Sequence, residues 1–221
     1  MFKHLSLRET TIIRRVGYDI VLTPERVSSL HLPSGKLVAC DPLSMPETEP
    51  YLDDLPIGKF PIYAIRANLR DEVRLAFIVI EFTNEKVSEW DMLIVPGEEK
   101  NWSPEERSGF LVDTSYAAFM DESCAHRLVD RFVQLEKDSD YDDEESEFEK
   151  LLLSGLRKPK KKGAFPFVDV KIDTHTMFAF WTDPGAYSGY VGRDSDGKVA
   201  RLLFDFSAVP FIISPRGFVF R

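Results

Sequence analysis

The sequence predicts an α+β protein, β-rich and mostly antiparallel, arranged as a sheet or sandwich with one or two helices inserted near residues 121–156. Three observations lead there. Short runs rich in β-branched and aromatic residues, bounded by Gly, Pro, Asn and Asp, recur along the chain. Helical spacing of apolar residues is confined to the stretch after Asp121. The composition is 43% hydrophobic with 17 Phe in 221 residues, which supplies the core of one sizeable domain.

The elements are expected in this order. Residues 1–35 read as an irregular segment in which GYDIVLTP is a short strand. LHLPSGKLVACDPL holds a Pro-Ser-Gly turn followed by a strand over Lys36–Cys40, and the six prolines up to Pro56 favour extended surface chain over helix. Phe60–Leu69 alternates, and Val73–Phe82 is apolar through its middle, as a strand covered on both faces is; Arg70-Asp71-Glu72 between them predicts a tight antiparallel hairpin. Trp90–Val95 is a strand ended by Pro96-Gly97, and Phe110–Met120 returns to extended chain.

Asp121 is the expected N-cap of a helix, with Glu122 in its first turn, where the helix dipole favours an acid. Ala125, Leu128, Val129, Phe132 and Leu135 form its apolar stripe. Phe148, Leu151 and Leu152 allow a second, shorter helix, stopped by Gly155 and Pro159, so that residues 121–162 form a charged helical insertion. FPFVDVKI, TMFAFWTD, AYSGYVGRD and KVARLLFDF are four further strands, and VPFIISPRGFVFR closes the chain as an edge strand.

The net charge is -9 and is unevenly spread. Glu136–Glu149 carries nine acids against one Lys, and Lys150–Lys162 carries six bases and no acid. An acidic protein is poorly suited to neutralising phosphates, so nucleic acid is not an expected partner. The run Arg157–Lys162 is expected to balance its acidic neighbour. No stretch approaches the ~18 apolar residues of a membrane span. Cys40 and Cys124 form no disulfide framework, and MFKHLSLRETTIIRR lacks the apolar core of a secretory leader; the cytoplasm is the expected location.

The stretch YSGYVGRDSDGKVARLLFDF (Tyr187–Phe206) sets a cation-loop reading against a hairpin reading. A calcium loop started at Gly192 aligns Asp194 and Asp196, but places Gly192 at the first ligand position and Leu203 at the twelfth, neither with a side-chain oxygen. Asp-Ser-Asp-Gly is instead a turn: Asp and Ser bond their own backbone and Gly supplies positive φ. Beyond it, Ala200, Leu202, Phe204 and Phe206 are expected on one face, with Arg201, Leu203 and Asp205 on the other. No metal and no cofactor are expected.

The same residues resemble the C-terminal signature of the bacterial family catalogued as domain of unknown function 4241, at Tyr187, Tyr190, Gly192, Asp194, Gly197, Asp205 and Phe206. LPSGKLVACDPL, FPIY, LIVPG and FLVDTSYAAFMD, with Asp113 and Asp121, extend the resemblance over about residues 30–209. It departs from the family pattern at Asp183-Pro184-Gly185 and in the absence of glycines between Asp113 and Asp121. The resemblance implies a shared fold and no activity.

Two arrangements of the candidate residues stay open. Asp113, Asp121, Asp183, Asp194 and Asp205 converge at one sheet end to bind a divalent cation or for acid–base work, or each serves structure: Asp121 as a cap, Asp194 in a turn, Asp205 on backbone, Asp113 against Arg193 or Arg201. Tyr187 and Tyr190 with Trp181 are a ligand platform, or core aromatics paired across strands. Cys124 and His126, two apart on a helix, face different directions, and no G-x-S-x-G, P-loop, dinucleotide fingerprint or HExxH occurs.

The acidic segment, with Asp138, Asp140, Asp142, Asp143, Glu144 and Glu145, is either a solvated loop or a docking element for a basic partner. The expected function is a non-catalytic cytosolic protein-binding domain, such as an immunity protein that neutralises a basic toxin domain. The alternative is a hydrolase-like enzyme with a carboxylate and tyrosine site near the C-terminal hairpin.

Overall fold

The computed structural model describes residues 7–100, 109–138, 150, 152, 154, 156, 165–214 and 217–220. Its strands in chain order are β1 (Thr11–Arg15), β2 (Tyr18–Leu32), β3 (Leu37–Cys40), β4 (Gly58–Leu69), β5 (Glu72–Glu81), β6 (Glu89–Met92), β7 (Phe110–Val112) and β8 (Tyr116–Asp121). Helix α1 (Glu122–Asp138) follows, then β9 (Phe167–Ile172), β10 (His175–Trp181), β11 (Gly185–Arg193), β12 (Val199–Asp205), β13 (Phe211–Ser214) and β14 (Gly217–Phe220). The α+β, β-rich class holds, and each described pairing is antiparallel.

An eight-stranded sheet runs β1-β2-β4-β5-β12-β11-β6, with β7 also on β11, and a four-stranded sheet runs β3-β8-β10-β9. Three apolar layers separate the parts. Ile65, Phe77, Val79, Tyr190 and Leu203 form a cluster on one face of the large sheet. Ile62, Ile78, Phe119, Phe180 and Phe204 join its other face to the four-stranded sheet. Val38, Met120, Cys124, Leu128 and Met177 bind the far face of the small sheet to α1. The middle layer is aromatic: Phe119 from the small sheet meets Phe204 from the large one at 4.3 Å between centroids. Fully burying each such ring stabilises the fold by about 1.5–3 kcal/mol.

From Thr11 onward the N-terminal segment is not irregular. It holds β1 and the fifteen-residue β2, the longest described strand. The prolines misled because one of them, Pro24, lies past Leu22, where the β1 ladder ends; on that side its missing N–H forfeits no strand pairing. Phe110–Met120 is also not one strand. It splits at Asp113–Ser115, where Ser115 takes φ 69°, so β7 joins the large sheet and β8 the small one. The chain end is not a lone edge strand but the β13–β14 hairpin. The expected second helix lies largely outside the described residues; Lys150, Leu152 and Ser154 are helical there.

The β4–β5 hairpin forms as expected, closed by Arg70 and Asp71, and the middle of β5 is buried throughout. The β11–β12 connection is likewise a turn. Asp194 N–H donates to Lys198 O (2.9 Å), Gly197 N–H to Asp194 O (3.1 Å), and Gly197 has φ 78°. One face assignment changes: the ladder passes from Gly192↔Arg201 to Arg193↔Val199, so Ala200 is bulged and joins the layer of Leu203, not that of Leu202. A side chain at Gly192 would meet Val87 and Trp90 at 2.9–3.0 Å, so this position needs a residue without Cβ.

Candidate functional site

The carboxylates that the sequence singles out are mostly spent on the backbone. Asp121 is buried at the junction of β8 and α1. One oxygen accepts Ser123 N–H (2.9 Å), the N-cap bond expected at a helix start, and the other accepts Ser34 N–H (2.9 Å) and Ser34 Oγ (2.8 Å). Asp194 Oδ1 accepts the N–H groups of Asp196 and Lys198, both at 2.9 Å. Asp205, also buried, accepts Ser207 N–H at 2.9 Å, where Ser207 takes φ 55°.

The residue that sequence reasoning missed is Asp41, which is fully buried. Its Oδ1 accepts the N–H of Leu43 (3.0 Å) and Ser44 (3.3 Å). Its Oδ2 accepts those of Asp113 (2.9 Å) and Thr114 (2.7 Å), and Thr114 Oγ1 lies 2.8 Å from both oxygens. Asp41 thus fixes the point where the chain crosses from β7 in one sheet to β8 in the other. The Asp-Pro dipeptide after an apolar strand was the available signal, since Asp before Pro starts turns.

Asp113 and Asp183 are exposed. The β7–β11 pairing ends at Val112↔Gly185, so both leave the ends of neighbouring strands. Asp183 lies 3.3 Å from Arg74. Asp113 pairs with neither expected base: Arg193 contacts Asp53 at 2.6 Å, and Arg201 faces the buried Glu81 at 3.5 Å. Tyr187 and Tyr190, three apart on β11, point to opposite faces and sit in different apolar layers, while Trp181 belongs to the other sheet; the three form no platform. The Tyr187 hydroxyl donates to Asp183 O and receives Thr182 Oγ1 at 3.4 Å. Burial pushes its phenol above the ordinary value, the Thr182 bond opposes this, and the nearby charges of Asp183 and Asp205 add to the rise.

One serine–histidine contact also escaped the sequence. Ser123 Oγ donates to Asp121 and lies 3.2 Å from His175 Nδ1. The order is carboxylate–serine–histidine, so the serine proton points to the carboxylate, and among the described residues no carboxylate is seen behind the imidazole. A nucleophilic triad needs the reverse, with imidazole between serine and carboxylate. Among the described residues, no group of three or more His, Cys, Asp or Glu is placed to hold a metal ion. Asp138 ends α1, and Asp140, Asp142, Asp143, Glu144 and Glu145 lie outside the described residues.

A surface groove of about 650 Å³ opens where the small sheet's β9–β10 hairpin approaches β2 and β4. Arg26, His31, Lys59 and Lys171 line it, against the single carboxylate of Asp169. None of the candidate residues from the sequence lines it.

The fold is thus built on two large antiparallel sheets with a helix on the outer face, and its buried aspartates Asp41, Asp121 and Asp205 act as backbone anchors. A family model described as "Protein of unknown function (DUF4241)" matches residues 30–204, and the chain belongs to that family. No curated protein and no solved structure matches it. No helix among the described residues is long and apolar enough to cross a membrane.

Proposed function

We propose that the chain is a non-catalytic, cytoplasmic protein-binding domain that neutralises a basic partner, as an immunity protein does a bacterial toxin. The observation that carries this reading is where the surplus negative charge sits. Asp41, Asp121 and Asp205 are buried on backbone N–H groups, whereas nine acids fall within Glu136–Glu149 of the sequence, a stretch that begins in the last turn of α1. A dense field of one sign speeds encounter with an opposite field and rejects like-charged partners. The hydrolase alternative needs Asp113, Asp183 and Asp205 in one cleft; Asp205 is buried while the other two are exposed, which gives it less support.

The test replaces Asp138, Asp140, Asp142 and Asp143 together by Asn. The partner is first isolated on the wild-type chain from its own cells, and association rates are then measured at low and high salt. The variant is expected to fold as the parent and to associate more slowly at low salt, the gap closing as the Debye length falls from ~30 Å at 0.01 M to ~8 Å at 0.15 M salt. Equal rates for variant and parent at low salt would remove the segment from the interface.

A further inference from the structure

The groove between the β9–β10 hairpin and the β2–β4 edge is charged against the character of the protein. The chain carries -9 overall, yet here three permanent cations, Arg26, Lys59 and Lys171, share one cavity with a single carboxylate. Folding gives no reason for this. His31 and Lys59 stand directly opposite each other on β2 and β4, a placement that brings side chains within about 5 Å and gains nothing from attraction between basic groups. Among the described residues, none of the three cations forms an ion pair.

The remaining polar groups are arranged around these charges. Ser28 Oγ lies 2.7 Å from both oxygens of Asp169, which bridges the two sheets and holds that carboxylate to one side. Thr176, paired with Lys171 across the β9–β10 ladder, holds the Lys171 ammonium at 2.7 Å, and Ser29 Oγ receives Arg26 at 3.3 Å. Both cations are therefore steered by hydroxyls that leave their charge uncompensated. Among the lining residues Val27 is the one apolar side chain and His31 the one ring, so the cavity offers no Phe, Tyr or Trp face for a base.

We propose that this groove binds a small phosphorylated molecule that also carries hydroxyl groups, a sugar phosphate in chemical class. Arg26, Lys59 and Lys171 receive the phosphate, whose oxygens accept charge-assisted bonds from guanidinium and ammonium groups. Asp169 is placed to accept from a ligand hydroxyl. The volume lies within the range of roughly 300–1,000 Å³ typical of small-molecule sites. A nucleic acid is a poorer occupant, because the positive charge is confined to one cavity and does not run as a stripe along a backbone.

The test is calorimetric titration of the full chain at low ionic strength with ribose 5-phosphate, inorganic phosphate and ribose. Ribose 5-phosphate is expected to bind more tightly than inorganic phosphate, and ribose not to bind. Lys59→Gln and Lys171→Gln are each expected to weaken ribose 5-phosphate by about tenfold or more, which is about 1.4 kcal/mol. Lys198→Gln, on the exposed β11–β12 turn, is the control and is expected to bind as the parent does. Thermal melting without ligand separates lost affinity from lost fold, and Asn replacements in the acidic segment are expected to leave this binding intact. Absence of heat with both phosphate probes would overturn the proposal, as would affinity that survives both lysine variants.

Discussion

Replacing Asp41 by Asn removes almost no volume, so its effect isolates the carboxylate. Each oxygen of Asp41 receives two backbone N–H groups: Leu43 and Ser44 on one, Asp113 and Thr114 on the other. An amide keeps one oxygen and turns an NH2 group toward the second pair. Whichever way it is placed, two buried N–H groups lose their acceptor and face another donor. Leaving a buried donor unsatisfied costs about 1–3 kcal/mol, so the pair costs about 2–6 kcal/mol; Thr114 Oγ1, which can rotate and donate to the remaining oxygen, holds the total near the middle, at about 3–5 kcal/mol. That is a large part of the roughly 5–15 kcal/mol by which domains are stable.

The assay is urea unfolding followed by far-UV circular dichroism. With a slope of about 2–3 kcal/mol per molar urea, the midpoint is expected to fall by about 1–2.5 M. Asp194→Asn serves as the contrast. Asp194 also accepts two backbone N–H groups, but at an exposed turn where water replaces the lost acceptor, so its midpoint is expected to move little. If Asp41→Asn shifts the midpoint no more than Asp194→Asn does, the sheet crossing is not held by this carboxylate.

Other expectations follow from the same geometry. Both cysteines are buried free thiols; burial pushes Cys40 far up and Cys124 up to about 12, so neither is expected to react with a thiol reagent near neutral pH until the chain unfolds. Because the folded-state values lie above those of the unfolded chain, their contribution is complete below about pH 9 and is lost as pH rises toward 12, by about 1.4 kcal/mol per unit for each thiol; Cys124→Ala is expected to flatten its share of that slope in urea midpoints taken across this range. Glu81→Gln disrupts the charge pair with Arg8 (2.8 Å) and the contact with Arg201 (3.5 Å), and is expected to cost about 2–3 kcal/mol in the same assay, less than a wholly buried pair because Arg8 is more than half exposed. Gly192→Ala drives a Cβ against Val87 and Trp90 and is expected to lower the melting temperature by several degrees, from about 1–3 kcal/mol of overpacking; an unchanged melting temperature would mean that the β6–β11 contact is looser than drawn.

What the sequence reveals here depends on how far apart the partners are. The β4–β5 and β11–β12 hairpins were legible because their turn residues and both strands lie within a few dozen positions. Asp121 was legible as a cap because its acceptors' donor, Ser123, is two residues on. Asp41 was not, since half of its donors come from Asp113 and Thr114, over seventy residues later. The groove was hidden for the same reason: Lys59 and Lys171 are ordinary surface lysines until the sheets bring β2, β4 and the β9–β10 hairpin together. Asp183 and Tyr187 show the opposite failure. Their spacing suggested chemistry, but the tyrosine hydroxyl reaches Asp183 through its backbone carbonyl, and the Asp183 side chain faces Arg74 at the surface. The motif carboxylates Asp121, Asp194 and Asp205 therefore mark where the backbone turns or changes element, while acids gather in the sequence at Glu136–Glu149 and cations gather in the groove. Binding experiments aimed at those two places, more than mutagenesis of the motif carboxylates, separate what this protein recognises from what keeps it folded.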